Sequence, residues 1–282
     1  MRRILLAVSL LLLPIPAYAW GTLGHRLTAR LAMDFLSMDS RKEISRLLGG
    51  ESLADASTWA DSVRSERKET GPWHYIDVPI DSSFEGWAHY CPAEGCVLMA
   101  IDRYTKILED RTRPDAERAE ALRFLIHFVG DLHQPLHVGE RGDRGGNDVK
   151  VTWQGRPANL HSVWDTYLIS SAGLNEDQWL GRLRKDAKRL HRKEVASGTP
   201  ADWAAESHAL SRDHVYTLPD PPELSAGYAG ENLPRAEQRL VHLAAIGVTD
   251  FAATIFDIPK DPGAYERTYR FLAGLSASGS WA

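Results

Sequence analysis

The apolar residues of the chain recur at α-helical spacing over most of its length. Leu23, Leu27, Leu31 and Phe35 fall on one face of a predicted helix over residues 21–37. Ser40 is a candidate cap for a second helix that runs to Leu48 and ends at Gly49-Gly50. The same periodicity predicts further helices over residues 52–67, 97–109, 177–194, 202–216, 234–256 and 264–275.

A central helix is predicted to begin at Pro114, because proline is favoured in the first turn of a helix. Its apolar face consists of Ala121, Leu122, Leu125 and Phe128. This helix leads directly into a stretch from His127 to His137 that is unusually rich in side chains able to bind metals. Another helical segment is predicted over residues 161–168.

Few segments show the alternation of a β-strand. Residues 148–153 alternate polar and apolar side chains, and Gln154-Gly155 would turn the chain back into one hairpin. Residues 71–79 have prolines near both ends and are expected to be extended or looped, and residues 227–233 to form a loop. With no internal repeat and no long linker, the predicted fold is all-α, a mostly α-helical single domain with one short β-hairpin.

The first nineteen residues are typical of a secretory signal peptide. Arg2 and Arg3 precede an apolar run, and Ala17-Tyr18-Ala19 forms a small-x-small cleavage site. We therefore expect residues 1–19 to be removed and residues 20–282 to form the mature domain, exported to the periplasm or secreted. No later run is apolar enough to predict insertion into a membrane.

Composition limits how the chain could bind nucleic acid. The formal charge is −5 and becomes −7 if Arg2 and Arg3 are removed, so a broad basic face is not expected. Any phosphate site must be local, and bound metal is the obvious source of its positive charge. In an exported protein, the spacing of Cys91 and Cys96 favours a local disulfide over a zinc pair.

Two His-x-x-x-Asp pairs are the clearest chemical signal. His127 and Asp131 lie four apart on the central helix, and His161 and Asp165 repeat the spacing. Pro135 turns the chain after the first pair and allows His137 to approach from another direction. One such pair could equally belong to a packed helix, but two together indicate a site for several metal ions, and zinc uses these nitrogen and oxygen ligands.

The chain resembles the three-zinc, single-strand-specific nucleases of the nuclease S-one/P-one family, whose superfamily includes zinc phospholipases C. The resemblance covers nearly the whole mature chain. It rests on six ordered motifs: Trp20-Gly21-x-x-Gly24-His25, Trp59-Ala60-Asp61-x-x-Arg64, Trp73-His74-Tyr75-Ile76-Asp77, His127-x-x-x-Asp131-x-His133-Gln134-Pro135-Leu136-His137, Gly145-Gly146-Asn147 and Asn159-Leu160-His161-x-x-Trp164-Asp165.

The resemblance implies three zinc ions and a ligand set for each. The first zinc would be held by Asp61, His74, His127 and Asp131. The second would be held by His137, His161 and Asp165. The third would take the freed α-amino nitrogen and carbonyl oxygen of Trp20, together with His25 and Asp131, which would bridge it to the first. Cleavage before Trp20 would then complete the centre, because an amide nitrogen cannot bind metal as an amine does.

The resemblance also implies a reaction. A zinc-bridged hydroxide would attack phosphorus in single-stranded RNA or DNA, giving 5′-phosphate products with an accompanying 3′-nucleotidase activity. Arg64 would contact the transition-state oxygens, and Asn159 would donate either to the phosphate or to a carboxylate near the metals. Tyr75 would stack on a base and Asp77 would bind its edge, which explains a preference for single strands. We expect a monomer whose partners are single-stranded RNA or DNA and 3′-nucleotides.

Two other functions fit the same metal ligands. A zinc phospholipase C-like hydrolase would act on phospholipid headgroups and would need an exposed apolar surface. A secreted zinc-binding protein without catalysis would need no Arg64 beside its ligands. The positions of Tyr75 and Asp77 after His74 favour the nuclease over the first of these.

Overall fold

The structure, a computed structural model, describes residues 20–189 and 198–249. The predicted signal peptide, the last residues of the helix predicted over 177–194, the end of the helix predicted over 234–256 and the helix predicted over 264–275 lie outside the described residues. Within them the α-helices are α1 (Gly21–Phe35), α2 (Met38–Leu47), α3 (Leu53–Ala56), α4 (Trp59–Val63), α5 (Val97–Glu109), α6 (Asp115–Leu132), α7 (Leu160–Ser162), α8 (Leu168–Ser170), α9 (Glu176–Arg189), α10 (Pro200–Leu210) and α11 (Ala226–Thr249).

Shorter turns of other helix types connect these elements. Three segments are 3₁₀-helical: Lys68–His74, Phe84–Tyr90 and Pro135–His137. Two segments form π-turns, Val163–Tyr167 between α7 and α8, and Ser211–Val215 directly after α10. The predicted mostly helical fold is therefore confirmed, and no helix in the described part is both long and apolar enough to cross a membrane.

The strands are few and short. Strand β1 (Val78–Pro79) pairs in parallel with β2 (Gly139–Glu140). The predicted hairpin is confirmed as β3 (Lys150–Trp153) and β4 (Arg156–Asn159), joined by Gln154 and Gly155 at positive φ. Strand β5 (Glu223–Leu224) then adds in parallel to β3. None of the three two-residue strands, β1, β2 and β5, was predicted as a strand, because two residues are too few to show alternation.

Helix α6 lies in the core of the protein. The four residues of its predicted apolar face are all buried, and Phe124 and Phe128 stack at 5.2 Å between ring centroids. The Phe124 ring also stacks on Tyr104 of α5 at 4.5 Å. Because residues of α6 pack on several sides, the helix holds its carboxyl-terminal turn, which contains Asp131, in a fixed position.

Three local predictions were wrong. The cap of α2 is Ser37 rather than Ser40, since the Ser37 side chain accepts the Ser40 N–H. The helix predicted over residues 52–67 is broken between α3 and α4, where the Ser57 carbonyl accepts a hydrogen bond from His127 at 2.7 Å instead of continuing the helix. Residues 71–79, predicted to be extended or looped, are helical in their first half, where the 3₁₀ segment Lys68–His74 ends.

The prediction of a loop over residues 227–233 is also wrong, since these residues belong to α11. Gly227, Gly230 and Pro234 disfavour a helix locally. Tertiary contacts outweigh them: Ala229 and Asn232 are buried, and the Tyr228 hydroxyl accepts the indole N–H of Trp164 at 3.0 Å. A disulfide joins Cys91 to Cys96, as predicted from their spacing.

Candidate metal centre

Four side chains from three elements meet in the first group. Asp61 comes from α4, His74 ends the 3₁₀ segment before β1, and His127 and Asp131 occupy successive turns of α6. The Nδ1 atom of His74 lies 2.9 Å from Oδ2 of Asp131 and 3.1 Å from Nε2 of His127. The Nε2 atom of His127 lies 3.3 Å from Asp131 Oδ2 and 3.5 Å from Asp61 Oδ1.

These separations match the edges of a small coordination polyhedron. Four ligand atoms placed tetrahedrally about 2.0–2.1 Å from one zinc ion lie about 3.3 Å from each other. The separations that join His74 or His127 to each other and to the two carboxylates run from 2.9 Å to the 3.8 Å between His74 Nδ1 and Asp61 Oδ1. Asp61, His74 and His127 are therefore close enough to hold one ion, and Asp131 lies beside both imidazoles.

The second group consists of His137, His161 and Asp165. One ligand-competent atom from each lies within 4.8 Å of the others. Nε2 of His161 is 3.1 Å from Oδ2 of Asp165, one helical turn away. The imidazole of His137 reaches the group from the 3₁₀ segment beyond Pro135, and its ring centroid is 5.1 Å from that of His161.

The third group is formed by Oδ1 of Asp131 and by His25 of α1. Asp131 Oδ1 lies 3.3 Å from His25 Nε2, while Oδ2 belongs to the first group. The His25 ring stacks on His127 at 4.0 Å. Trp20 is fully buried just over one turn before His25, and its carbonyl accepts the Gly24 N–H at 3.0 Å.

Gly130 makes room for His25, and sequence analysis did not identify it. A Cβ atom at this position would lie 2.8 Å from His25 Nδ1, which is closer than side chains tolerate. A glycine inside an otherwise strong helical pattern, directly before Asp131, was the available signal. Gly130 therefore allows α1 to bring His25 against α6.

Backbone carbonyls orient three of the imidazoles. The Nδ1–H groups of His127, His137 and His161 donate to the carbonyl oxygens of Ser57, His74 and Gly145 at 2.7, 2.7 and 2.6 Å. Each bond places the proton on Nδ1 and leaves the Nε2 lone pair facing the other ligands. This support from outside the ligand set is typical of histidines that bind metals.

Several buried ligand atoms lack hydrogen-bond partners within the described part of the chain. They are His25 Nε2, Asp61 Oδ1, Asp131 Oδ1, His137 Nε2 and Asp165 Oδ2. Unpaired buried polar atoms are costly and rare. His25 Nε2, Asp61 Oδ1, Asp131 Oδ1 and Asp165 Oδ2 each lie 3.1–3.5 Å from another ligand atom of the groups, so the donor set fits bound divalent metal.

The groups perturb each other's pKa values. Burial disfavours ionisation, but the neighbouring imidazoles, His127 above all, hold the pKa of Asp131 well below its usual range. Burial lowers the pKa of His127, yet Asp131 and Asp61 raise it well above the ordinary value. Burial dominates at His137 and lowers its pKa to about 4. Because both carboxylates favour protonation of His127, a metal ion that binds its Nε2 must compete with a proton.

The predicted substrate residues border this centre. The guanidinium of Arg64 makes no hydrogen bond or ion pair within the described ranges. Burial, followed by repulsion from Asp77, raises the pKa of Tyr75, and the charge of Arg64 only partly opposes this rise. Tyr75 and Asp77 share one side of an extended segment, opposite buried Ile76. Desolvation, followed by repulsion from Glu140 and Asp143, raises the pKa of Asp77 to about 6.

Asn159 is placed differently from the other substrate residues. Its Oδ1 accepts the Ser162 N–H at 2.7 Å, so the side chain caps α7, the helix that carries His161. Its Nδ2 group has no hydrogen-bond partner among the described residues. His133, in turn, is buried outside all three groups, with Nδ1 donating to the Val129 carbonyl at 2.8 Å.

Comparison with known sequences agrees with this arrangement. A sequence model of the S1/P1 nuclease family matches residues 20–256. Nuclease PA3 of Penicillium sp is 34% identical over 216 residues, which are 68% of this chain and 80% of that protein. Endonuclease 1 of Arabidopsis thaliana is 31% identical over 270 residues, 85% of this chain and 88% of that protein.

Nuclease S1 of Aspergillus oryzae is 36% identical over 163 residues, and this alignment spans 55% of the chain and 56% of that nuclease. The region that matches the family model, by contrast, begins at Trp20 and includes every residue of the three groups. The chain belongs to the S1/P1 nuclease family.

Proposed function

We propose that the chain is an exported zinc-dependent endonuclease that hydrolyses single-stranded RNA and DNA to 5′-phosphate products and also acts as a 3′-nucleotidase. The observation that carries the proposal is the shared carboxylate of Asp131, whose two oxygens face two different groups of ligands. A buried centre of this kind concentrates positive charge where an otherwise acidic protein must bind phosphate.

The residues present fit three zinc ions. Asp61, His74, His127 and Asp131 would hold the first, His137, His161 and Asp165 the second, and His25, Asp131 and the main chain of Trp20 the third. Bound zinc would supply Lewis acidity, lowering the pKa of water and neutralising charge that develops on the phosphate.

The surrounding side chains would bind and orient the nucleic acid. Arg64, with no partner among the described residues, would donate to the phosphate oxygens as their negative charge grows. Asn159 would hold α7 in place through Oδ1 and donate to the same phosphate through Nδ2. Arg64 directly follows α4, and Asn159 is the last residue of β4.

Recognition of the base would fall to Tyr75 and Asp77. Tyr75 would stack on one base face, which is free in a single strand and covered in a duplex. The Asp77 carboxylate would accept hydrogen bonds from amino or imino groups on the base edge. These roles favour nucleic acid over the phospholipid headgroups of a phospholipase C-like enzyme.

Removal of residues 1–19 would complete the third group by freeing the α-amino nitrogen of Trp20, leaving residues 20–282 as one mature domain. The test is zinc analysis of protein with a verified Trp20 N-terminus, together with cleavage assays on single-stranded and duplex DNA. We expect three zinc ions and preferential cleavage of the single strand. Turnover of phosphatidylcholine without cleavage of DNA would contradict the proposal, as would full zinc loading without hydrolysis of any phosphodiester.

A matched protein that keeps an extension before Trp20 tests the role of the N-terminus. We expect it to lose mainly the third zinc, because an amide nitrogen replaces the amine. Equal zinc content and equal activity in both forms would contradict this part of the proposal.

A further inference from the structure

Gln134 is fully buried, and it lies in the chain between Asp131 and His137. Its backbone N–H donates to the Asp131 carbonyl at 2.9 Å, and its own carbonyl accepts the His137 N–H at 3.0 Å. The main chain of Gln134 is thus bonded to a ligand residue on either side.

The side chain makes two further hydrogen bonds. Its Oε1 accepts the Leu136 N–H at 2.5 Å and so caps the 3₁₀ segment Pro135–His137. Its Nε2 donates to Oδ1 of Asp165, which lies thirty-one positions later in the chain. The amide orientation follows from Leu136, because its N–H must donate to Oε1, which leaves Nε2 to face Asp165.

We infer that Gln134 is a positioning residue for the second metal group, an inference that rests on the proposed function. The amide donates to Asp165 Oδ1, and Oδ2 accepts no hydrogen bond but faces the ligand atom Nε2 of His161 at 3.1 Å. Asp165 therefore offers one defined oxygen to a metal ion. The same side chain fixes the turn that delivers His137, so one glutamine sets two of the three ligands.

Loss of the Gln134 amide should weaken the binding of one zinc ion only, the one in the second group. Without Gln134, the Asp165 carboxylate is free to rotate and His137 loses the cap of its turn. Removing residues that orient metal ligands weakens metal affinity by about 10–100-fold. A purely structural role would instead destabilise the zinc-free protein and weaken all three zinc ions together.

The experiment measures zinc release to a competing chelator from the mature protein beginning at Trp20. His137→Ala first identifies the zinc ion of the second group. Gln134→Met keeps the side-chain volume but removes both hydrogen bonds, and Gln134→Asn keeps an amide that is too short to make both. We expect either variant to weaken that zinc by about 10–100-fold and leave the other two unchanged.

Ser211→Ala is the matched control. Its hydroxyl donates to the Pro135 carbonyl at 2.6 Å, so the variant removes a buried hydrogen bond from the same turn without touching Asp165. We expect it to release zinc as the wild type does. Equal weakening by Ser211→Ala, or wild-type release from both Gln134 variants, would overturn the inference alone. Zinc content unaffected by His137→Ala would refute the proposed function, and this inference with it.

Discussion

Asp131→Ala should remove more zinc than any change at a ligand that belongs to one group. Asp131 is fully buried, with Oδ2 2.9 Å from His74 Nδ1 and Oδ1 3.3 Å from His25 Nε2. Alanine would take one of four side-chain ligands from the first group and the only carboxylate from the third.

The magnitude follows from the number of ligands. A four-ligand zinc site contributes about 10–16 kcal/mol, so each ligand accounts for about 3 kcal/mol. A loss of this size weakens zinc binding by about a hundredfold. Asp131→Ala should therefore weaken two zinc ions by about a hundredfold each, since buried neighbours leave little room for water to replace the carboxylate.

Asp165→Ala is the matched control, because Asp165 is also buried but belongs to the second group only. Both proteins are dialysed against the same chelator, and zinc content and single-strand cleavage are measured after circular dichroism shows equal helix content. We expect Asp165→Ala to lose one zinc and Asp131→Ala to lose two. Three retained zinc ions with intact cleavage, or equal loss in both variants, would refute the bridging role of Asp131.

Three further predictions concern residues around the centre. Arg64→Ala should lower kcat for single-stranded DNA by about 10²–10³-fold with zinc content unchanged, and lost zinc would show that Arg64 supports the ligands instead. The pKa of the Asp77 carboxyl is raised to about 6, so the group is ionised above that pH and protonated below it. The kcat/KM of the wild type should therefore fall below pH 6, and Asp77→Asn should lack that inflection. An unchanged profile in the variant would exclude Asp77 from binding bases. Gly130→Ala should displace His25 and release the third zinc, although alanine normally favours a helix by about 1 kcal/mol; a more stable variant with full zinc would contradict the contact.

The residues able to bind metals could be selected from the sequence because their chemistry is restricted. Histidine and aspartate at four-residue spacing share a helical face wherever the helix lies, and the structure places His127 beside Asp131 and His161 beside Asp165. The apolar periodicity of α6 likewise depends on local spacing alone. Such features need no knowledge of distant contacts.

Two of the failed predictions depend on distant contacts. The break after α3 follows from the Ser57 carbonyl facing His127, seventy positions later in the chain. The helix over residues 227–233 follows from burial and from the Tyr228 hydroxyl bonded to Trp164, although its glycines favour a loop. Neither partner can be recognised by spacing, because each contact exists only after the chain has folded.

Dependence on distant contacts also explains why the groups that orient the ligands are harder to recognise in the sequence than the ligands themselves. Three imidazoles are oriented by carbonyls of Ser57, His74 and Gly145, and any residue type supplies a carbonyl. Each carbonyl orients its imidazole only because of where the main chain places it. A substitution at Ser57 or Gly145 should therefore disturb metal binding only when it moves the main chain. At Gly145 it should do so, because φ is +59° and a Cβ atom would meet the Leu136 carbonyl oxygen. At Ser57, where φ is −66°, alanine should leave the carbonyl and its bond to His127 in place.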